Sequence, residues 1–331
     1  NLSKHWFFDG YGAYGFKDHK WMYKGQVAYS FLPRTYMLWE FPKHYIQFKY
    51  QYDVMSPSDK YLDTDKDNMF VGLRWTTMDQ MMYSRNAELT YELETASGLS
   101  VKAQARHRND EPVGTLAYYK NDGPVAGQLS EQNTLVKDIT TNELAVTLRY
   151  APGESFINTK QRRRPVSLDA PIYTLDAPIY TLTHTFGFKG LGGDYNFNIT
   201  EFSMRKRFWM GSWGHLNIIG RAGAQWNRVP FPMLNIPITN LSYIMMYDQE
   251  SFALIKNMEF LNDRYAALFV KYNMNGKLFN RIPLLKHLKW REMFCVRAMW
   301  GTLTDKNNPY LAGNEDLFVF PTRNGEPASF L

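Results

Sequence analysis

The alternation of apolar and polar side chains through residues 21–31 constrains this chain more than any other feature. Trp21, Tyr23, Gly25, Val27, Tyr29 and Phe31 share one parity, and Met22, Lys24, Gln26, Ala28 and Ser30 the other. A period of two marks a strand, because successive side chains point to opposite faces of a sheet. The preceding run places Trp6, Phe8, Gly10, Gly12, Tyr14 and Phe16 on one parity, and Lys17, Asp18 and His19 separate the two runs. This predicts a β-hairpin. Each arm is about 11 residues long, the length of a tilted strand crossing a bilayer, whereas strands of soluble domains average nearer 5–6.

The pattern recurs along the chain. Residues 44–54 set Ile46, Phe48, Tyr50, Tyr52 and Val54 against Gln47, Lys49, Gln51 and Asp53. Further strands are expected at 68–76, 84–95, 99–108, 141–150, 180–188, 195–209, 215–226, 264–274 and 289–300, about twelve in all. Ala96, Ser97 and Gly98 form a tight turn between two of them. The polar face of that hairpin carries Glu88, Glu92 and Glu94 opposite Lys102 and Arg106, which suits cross-strand pairing in a wet interior. Within 195–209, Tyr195, Phe197 and Ile199 share one parity while Phe202, Met204 and Phe208 take the other, which predicts a bulge near Thr200.

The heptapeptide LDAPIYT occurs twice in succession, at 168–174 and 175–181. Seven is odd, so a strand running through both copies would exchange its faces. Pro171 and Pro178 also disfavour continuous pairing. The second copy therefore leads into the strand that contains Tyr180, Leu182, His184, Phe186 and Phe188.

Composition narrows the class. Phe, Trp and Tyr make up 16% of the 331 residues, yet no apolar run approaches the ~18–20 residues of a spanning helix, which excludes a helical membrane protein. A single cysteine, Cys295, rules out a disulfide framework and a cysteine metal site. The formal charge of +6 is spread along polar faces, with dense basic clusters only at 161–164 and 286–291, so nucleic acid is not an expected partner. No signal peptide is visible although an exported barrel requires one, and no terminal strand is recognised, so the sequence reads as a processed or partial chain.

These features predict an all-β fold, a transmembrane antiparallel β-barrel forming one domain over residues 1–331. In hydrocarbon every backbone N–H and C=O must be paired, so a membrane sheet has to close. Trp6, Phe16, Trp21, Phe31, Trp75, Trp209, Trp226 and Trp300 fall near strand ends, where aromatic side chains anchor at membrane interfaces. The rival is a soluble sandwich or calycin whose apolar faces meet in a core. Alternating the connections over twelve strands places 17–19, 96–98, 210–213 and 275–287 on one side and the long segments 109–140 and 227–263 on the other.

No catalytic, cofactor or metal site is expected. Asp63, Asp65 and Asp67 begin like a calcium loop, but Asn68 stands where the glycine is needed and Arg74 where the glutamate is needed, so this is a solvated loop. The seven histidines are scattered. Gly187, Gly190, Gly192 and Gly193 lack the G-K-S/T of a phosphate loop and read as a turn. Carboxylates such as Asp9, Asp53, Glu88 and Glu92 could form an acid and base pair in the interior, yet the expectation is a non-enzyme. The unusual loop is Val229, Pro230, Phe231, Pro232, Met233 and Leu234. Its two prolines cannot sit in a ladder, so it is either a plug folded into the barrel mouth or an exposed contact for a partner.

The runs FFDGYGAYGFKDHKWMYKGQVAYSF (7–31), KRFWMGSWGHLNIIGRAGAQWNRVPFPML (206–234), MEFLNDRYAALFVKYNMNGKLFNRIPLLKHLKWRE (258–292) and LTDKNNP (303–309) carry a resemblance. They are similar to the barrel of an uncharacterised Bacteroidota outer-membrane family whose members carry an N-terminal carboxypeptidase-regulatory-like domain. Its barrel layout resembles the surface-antigen superfamily that includes the Bam-type insertase. The resemblance implies a cell outer-membrane location, contact with outer-membrane lipid and with other envelope proteins, and a structural or accessory part in an assembly or export complex. The alternative is a passive diffusion channel. The insertase's arginine-glycine-aromatic lid motif is absent here, with Phe188, Lys189 and Gly190 only a distant echo. The duplicated LDAPIYT also departs from the family pattern.

Overall fold

A computed structural model describes residues 5–16, 18–32, 42–59, 80–154, 156–159, 162–165, 177–238, 250–252, 254–323 and 326–329. Eleven strands form one antiparallel sheet in strict sequence order: β1 (Trp6–Tyr14), β2 (Trp21–Ser30), β3 (His44–Met55), β4 (Gln80–Glu94), β5 (Leu99–Gly114), β6 (Ile139–Tyr150), β7 (Ile179–Gly187), β8 (Phe197–Trp209), β9 (His215–Gln225), β10 (Arg264–Asn273) and β11 (Met293–Thr302). The longest, β4 and β5, run to 15 and 16 residues. Long strands with unbroken registers follow from the unbroken period-two pattern, since a slip of one residue would reverse every side chain.

The expected count was twelve. β3 and β4 are direct neighbours from His44↔Leu93 to Met55↔Met82, so no strand stands between them in this sheet. The remaining expected strand, 68–76, lies outside the described residues, as does the first LDAPIYT copy at 168–174. β7 begins inside the second copy, at Ile179. Dropping one strand also corrects the sidedness. The β1–β2 turn falls at the end of the sheet that carries the connections after β3, β5, β7, β9 and β11, not at the end of the short turns 95–98 and 210–214.

The expected bulge near Thr200 is absent. β8 pairs without interruption with β7 from Phe197↔Gly187 to Arg205↔Ile179, and with β9 from Ile199↔Gln225 to Trp209↔His215. Phe197 and Ile199 simply lie on the inward parity, together with Glu201, Ser203, Arg205 and Arg207. They are apolar because an apolar cluster covers that end of the inward face, as described below.

The two faces have opposite chemistry, and the polar one is buried. Lys49, Asp53, Glu88, Glu92, Glu94, Arg108, Asp110, Glu143 and Arg207 are buried, whereas Leu89, Tyr91, Leu93, Leu144, Leu148, Leu182, Phe186, Phe202 and Leu268 are exposed. A soluble sandwich would bury the second set, so that rival reading is overturned. Contacts between distant parts of the chain close over the polar face. The Ser56 hydroxyl, just past β3, bonds Asn257 Oδ1, ahead of β10, at 2.9 Å, and Asn257 Nδ2 reaches the Gln80 carbonyl at 3.4 Å.

Two glycines show how closely the strands are fitted. A Cβ at Gly187 would lie 2.0 Å from the Phe197 ring, its cross-strand neighbour, and one at Gly223 would lie 2.3 Å from the Tyr265 ring. Each ring therefore lies flat over a glycine. Gly187→Val is expected to displace the fully buried Phe197 and to destabilise the protein by about 1–3 kcal/mol. The shift of the urea midpoint of unfolding measures this, with the nearby exposed change Lys189→Ala as the control.

Candidate functional site

Two features of the polar face could carry function: a chain of ion pairs across its middle and an apolar cap over one end. The ion pairs grow from the alternation in β3 to β6. Register sets Glu88 across from both Lys49 and Arg106, and Glu143 across from Arg106. Lys49 Nζ lies 3.4 Å from Glu88, Arg106 Nε 3.1 Å from Glu88, and Arg106 Nη1 3.3 Å from Glu143. Nearer the short-turn end, Glu92 accepts from Lys43 Nζ at 2.9 Å and from the Tyr45 hydroxyl at 2.6 Å, and Arg149 joins Glu94 and Glu154 at 3.6 and 2.6 Å. Buried charges persist only when paired and hydrogen-bonded, and here each of these carboxylates has a cationic partner.

A second group lies under the cap. Glu250 pairs with both Arg205 and Arg221, and the Tyr265 hydroxyl donates to Glu201 at 3.3 Å. Glu201, Arg221, Glu250, Asp263 and Tyr265 border a cavity of about 250 Å3 beneath Pro232, Met233 and Leu234. Among the described residues, no group of three or more His, Cys, Asp or Glu side chains is placed to hold a metal ion.

The cap is built on the loop that stands out in the sequence. Val229, Pro230, Phe231, Pro232, Met233 and Leu234 are all buried, with Phe231 and Val229 each 1% exposed. Burying a loop requires that its backbone donors find partners. Pro230 and Pro232 have no N–H to satisfy. The Val229 amide donates to Asn307 Oδ1 at 2.9 Å, and a short 3₁₀ turn lets Met233 and Leu234 donate to the Pro230 and Phe231 carbonyls at 3.0 Å each. The Phe231 ring then packs edge-on against Tyr118 at 5.8 Å and Phe318 at 6.3 Å, while Tyr118 stacks on Phe318 at 5.4 Å. Leu116, Ile139, Phe197, Ile236, Met258, Leu261 and Phe320 complete the cluster.

Asp263 ties this cap to the sheet. Its carboxylate accepts from the Thr304 amide at 3.1 Å, the Thr304 hydroxyl and Asn307 Nδ2 at 3.0 Å, and Asn307 in turn holds Val229. Three of the sequence runs quoted above, 206–234, 258–292 and 303–309, thus meet at one buried contact. Sequence reasoning singled out the loop but missed Asp263, Asn307, Tyr118 and Phe318. The only available signal was that these residues, Tyr118 and Phe318 apart, lie in those runs.

The aromatic residues fall into two rows. Phe16, Trp21, Trp226 and Trp300 are exposed at the cap end, and Trp6 and Phe31 at the other, where Trp209 is also exposed but lies on the inward parity beside Arg207; Trp75 lies outside the described residues. Trp213, in a connection, and Trp290, which the expected strand 289–300 includes but which precedes β11, extend the second row. Cations accompany it: Arg207 lies over the Trp209 ring at 5.4 Å and Lys277 over Trp213 at 5.2 Å. No helix among the described residues is long and apolar enough to cross a membrane.

Fold and site together define a class: an all-antiparallel β protein with an apolar outer face, a charged inner face and an apolar cap. Residues 1–312 match the C-terminal domain of the family of unknown function DUF5686, and the chain belongs to that family. Among solved structures it is similar to the crystal structure of BamA from Haemophilus ducreyi lacking POTRA domains 1–3, with a TM-score of 0.46 and 10% sequence identity. That match covers 89% of this chain, and this chain spans 57% of the BamA chain. No curated protein matches the sequence.

Burial raises the affinity of three tyrosines in and beside the cap for their protons. Desolvation pushes Tyr195 and Tyr310 each up to about 12 and Tyr118 higher still. An unfolded tyrosine titrates near pH 10, so the stability these groups contribute is fully present below about pH 10 and is lost as pH rises through about 12. Protease sensitivity of the cap is expected to increase over that window, in step with the tyrosinate absorbance. Cleavage independent of pH over about 8 to 12 would contradict the burial of these tyrosines.

Proposed function

We propose that this chain forms a closed outer-membrane β-barrel and serves as a structural or accessory component of an outer-membrane protein assembly or export complex. The observation that supports the membrane is the inverted burial. Leu89, Leu148, Phe202 and Leu268 face outward while Glu88, Arg106 and Glu143 are buried. A ten-residue strand is about 33 Å long and, tilted by about 45°, covers roughly the 25 Å apolar band of such barrels. The two aromatic rows then lie at the two interfaces, with lipid as the partner of the outer face. A Bacteroidota envelope and a preceding carboxypeptidase-regulatory-like domain belong to the same reading and rest on the sequence resemblance.

The cap supports an accessory role over a passive channel. A diffusion pore needs an open lumen, and here Phe231, Tyr118 and Phe318 pack over one end while ion pairs cross the middle. Catalysis is not part of the proposal, because Glu88, Glu143 and Glu250 are each neutralised by basic partners. Neither is nucleic acid, since the basic residues form no continuous outward stripe in the sequence.

Purification of the protein from native membranes is expected to recover a complex with other envelope proteins; recovery as a lone monomer would remove the assembly role. In planar bilayers the protein should conduct poorly. Phe231→Ala removes an aromatic anchor whose loss costs about 3–5 kcal/mol in a packed core, so it should raise the frequency of open events. Steady porin-like conductance from the unaltered protein would favour the channel instead.

The membrane itself is tested by Leu268→Arg, at the middle of β10. A charge on a lipid-facing midplane costs about 2–4 kcal/mol, whereas the same change on a water-exposed surface is close to neutral. Urea unfolding in lipid vesicles is expected to show the larger loss.

A further inference from the structure

The connection from β10 to β11 stands at the end of the sheet that carries the tight turns 95–98 and 210–214. Between residues 277 and 291 the sequence holds Lys277, Arg281, Lys286, Lys289 and Arg291 and no aspartate or glutamate. Interleaved with these cations are Leu278, Ile282, Leu284, Leu288 and Trp290, all exposed, Leu284 by 76% and Trp290 by 57%. So many large apolar side chains gathered in the open mark a contact surface.

The segment is held in place from within. The Met274 amide donates to the Glu292 carbonyl at 3.1 Å, and the Phe279 amide donates to the Glu292 carboxylate. Glu292 is buried, so the acid that closes the segment is turned into it and the outer surface stays basic. A 3₁₀ turn (Phe279–Arg281) leads through Pro283 into a short helix, α1 (Pro283–Leu288). Lys289 ends that helix with a φ of 54°, so a cation occupies a position whose left-handed backbone favours glycine. Among the described residues, Arg281, Lys286, Lys289 and Arg291 have no carboxylate partner.

The same segment adjoins the outward apolar face. Tyr272, on the outward parity of β10 opposite Phe294, donates its hydroxyl to the Trp213 carbonyl at 3.1 Å. Lys277 donates to the Ser212 hydroxyl at 2.9 Å, and Lys206, outward on β8, lies over the Phe208 ring at 5.3 Å. Tryptophan settles at the level of lipid headgroups, and lysine and arginine run their stems along apolar surface toward charged heads. Clusters of about 4–8 basic residues beside a membrane, with bulky apolar residues among them, recognise anionic lipid. A groove on a partner protein would instead take a helix by anchors spaced over two turns, which the six residues of α1 are too few to present.

We propose that residues 277–291 form an anchor for anionic phospholipid headgroups at the short-turn end of the barrel. This rests on the outer-membrane reading above and adds to it a place on the molecule and a headgroup preference.

The test uses the full chain in nanodiscs of phosphatidylcholine, with or without phosphatidylglycerol replacing part of the lipid. Chymotrypsin cleavage after Leu288 and Trp290 is followed by mass spectrometry. Phosphatidylglycerol is expected to slow it by at least about fivefold, the factor for a single basic side chain at an anionic surface. Cleavage after Leu191, exposed at the other end, should not change. A variant combining Lys286→Gln, Lys289→Gln and Arg291→Gln keeps every chymotrypsin site and should be cleaved at the phosphatidylcholine rate in both discs. Salt at about 1 M, where the screening length falls to about 3 Å, should also remove the protection. Equal rates for the unaltered protein in the two lipids overturn the proposal, as does protection that survives in the triple variant. Protection that requires added envelope proteins, whatever the lipid, assigns the surface to a protein partner and overturns the lipid anchor. Failure to co-elute with the discs overturns the membrane reading as well, whereas co-elution without lipid dependence removes the anchor alone.

Discussion

A sheet that turns its charged face inward must pair the charges that it buries, and the structure depends on that constraint. Desolvating one carboxylate costs several kcal/mol, and a single missing partner leaves the full penalty unmet. Glu88 meets it by lying between Lys49 and Arg106, and Arg106 by reaching on to Glu143, so four strands are held in one register by four side chains. A slip of one residue anywhere from β3 to β6 would place these charges outward among Leu89, Leu144 and Leu148. The charge network therefore specifies register as firmly as an apolar core would.

The cap answers a different problem. The ends of a curled sheet have no ladder to satisfy loop backbones, so an apolar loop can be buried there only if its amides are accounted for. In residues 229–234 two prolines remove donors, a 3₁₀ turn satisfies two more, and Asn307 takes the Val229 amide. Asp263 then orients Asn307, so one buried carboxylate at the start of β10 positions an aromatic cluster drawn from segments almost two hundred residues apart, as the Asn121–Pro309 contact also shows. The cap and the ion pairs act together in the proposed barrel, one sealing the end and the other filling the middle.

Much of the fold was legible in the alternation. Glu88 opposite Arg106 and Glu92 opposite Lys102 were readable as cross-strand pairs from the turn at 96–98 alone, and the register places them so. The errors have physical causes. The parity change at 195–209 looked like a bulge because apolar residues were assumed to face one way, whereas Phe197 and Ile199 face inward beneath a cap whose members are remote in sequence. The side assignment failed because alternation propagates: one strand too many ahead of β4 reverses every connection before it. Tyr118 and Phe318 were missed for a related reason, since each sits in a short apolar run, 116–119 and 317–320, within a connection that has no alternation to mark it.

By itself the sequence determined the local periodicity: which residues extend, where the tight turns fall, and that apolar and charged groups separate to opposite faces. Those are nearest-neighbour properties, set by the pleat and by proline and glycine. The tertiary structure decided which of the two faces is buried, how the loop at 229–234 is satisfied, and that Ile219, Ala267, Phe269 and Met299 pack together on the inner side of β9 to β11. Each of these depends on partners between about 30 and 200 residues away along the chain, and no local pattern encodes where such partners will stand.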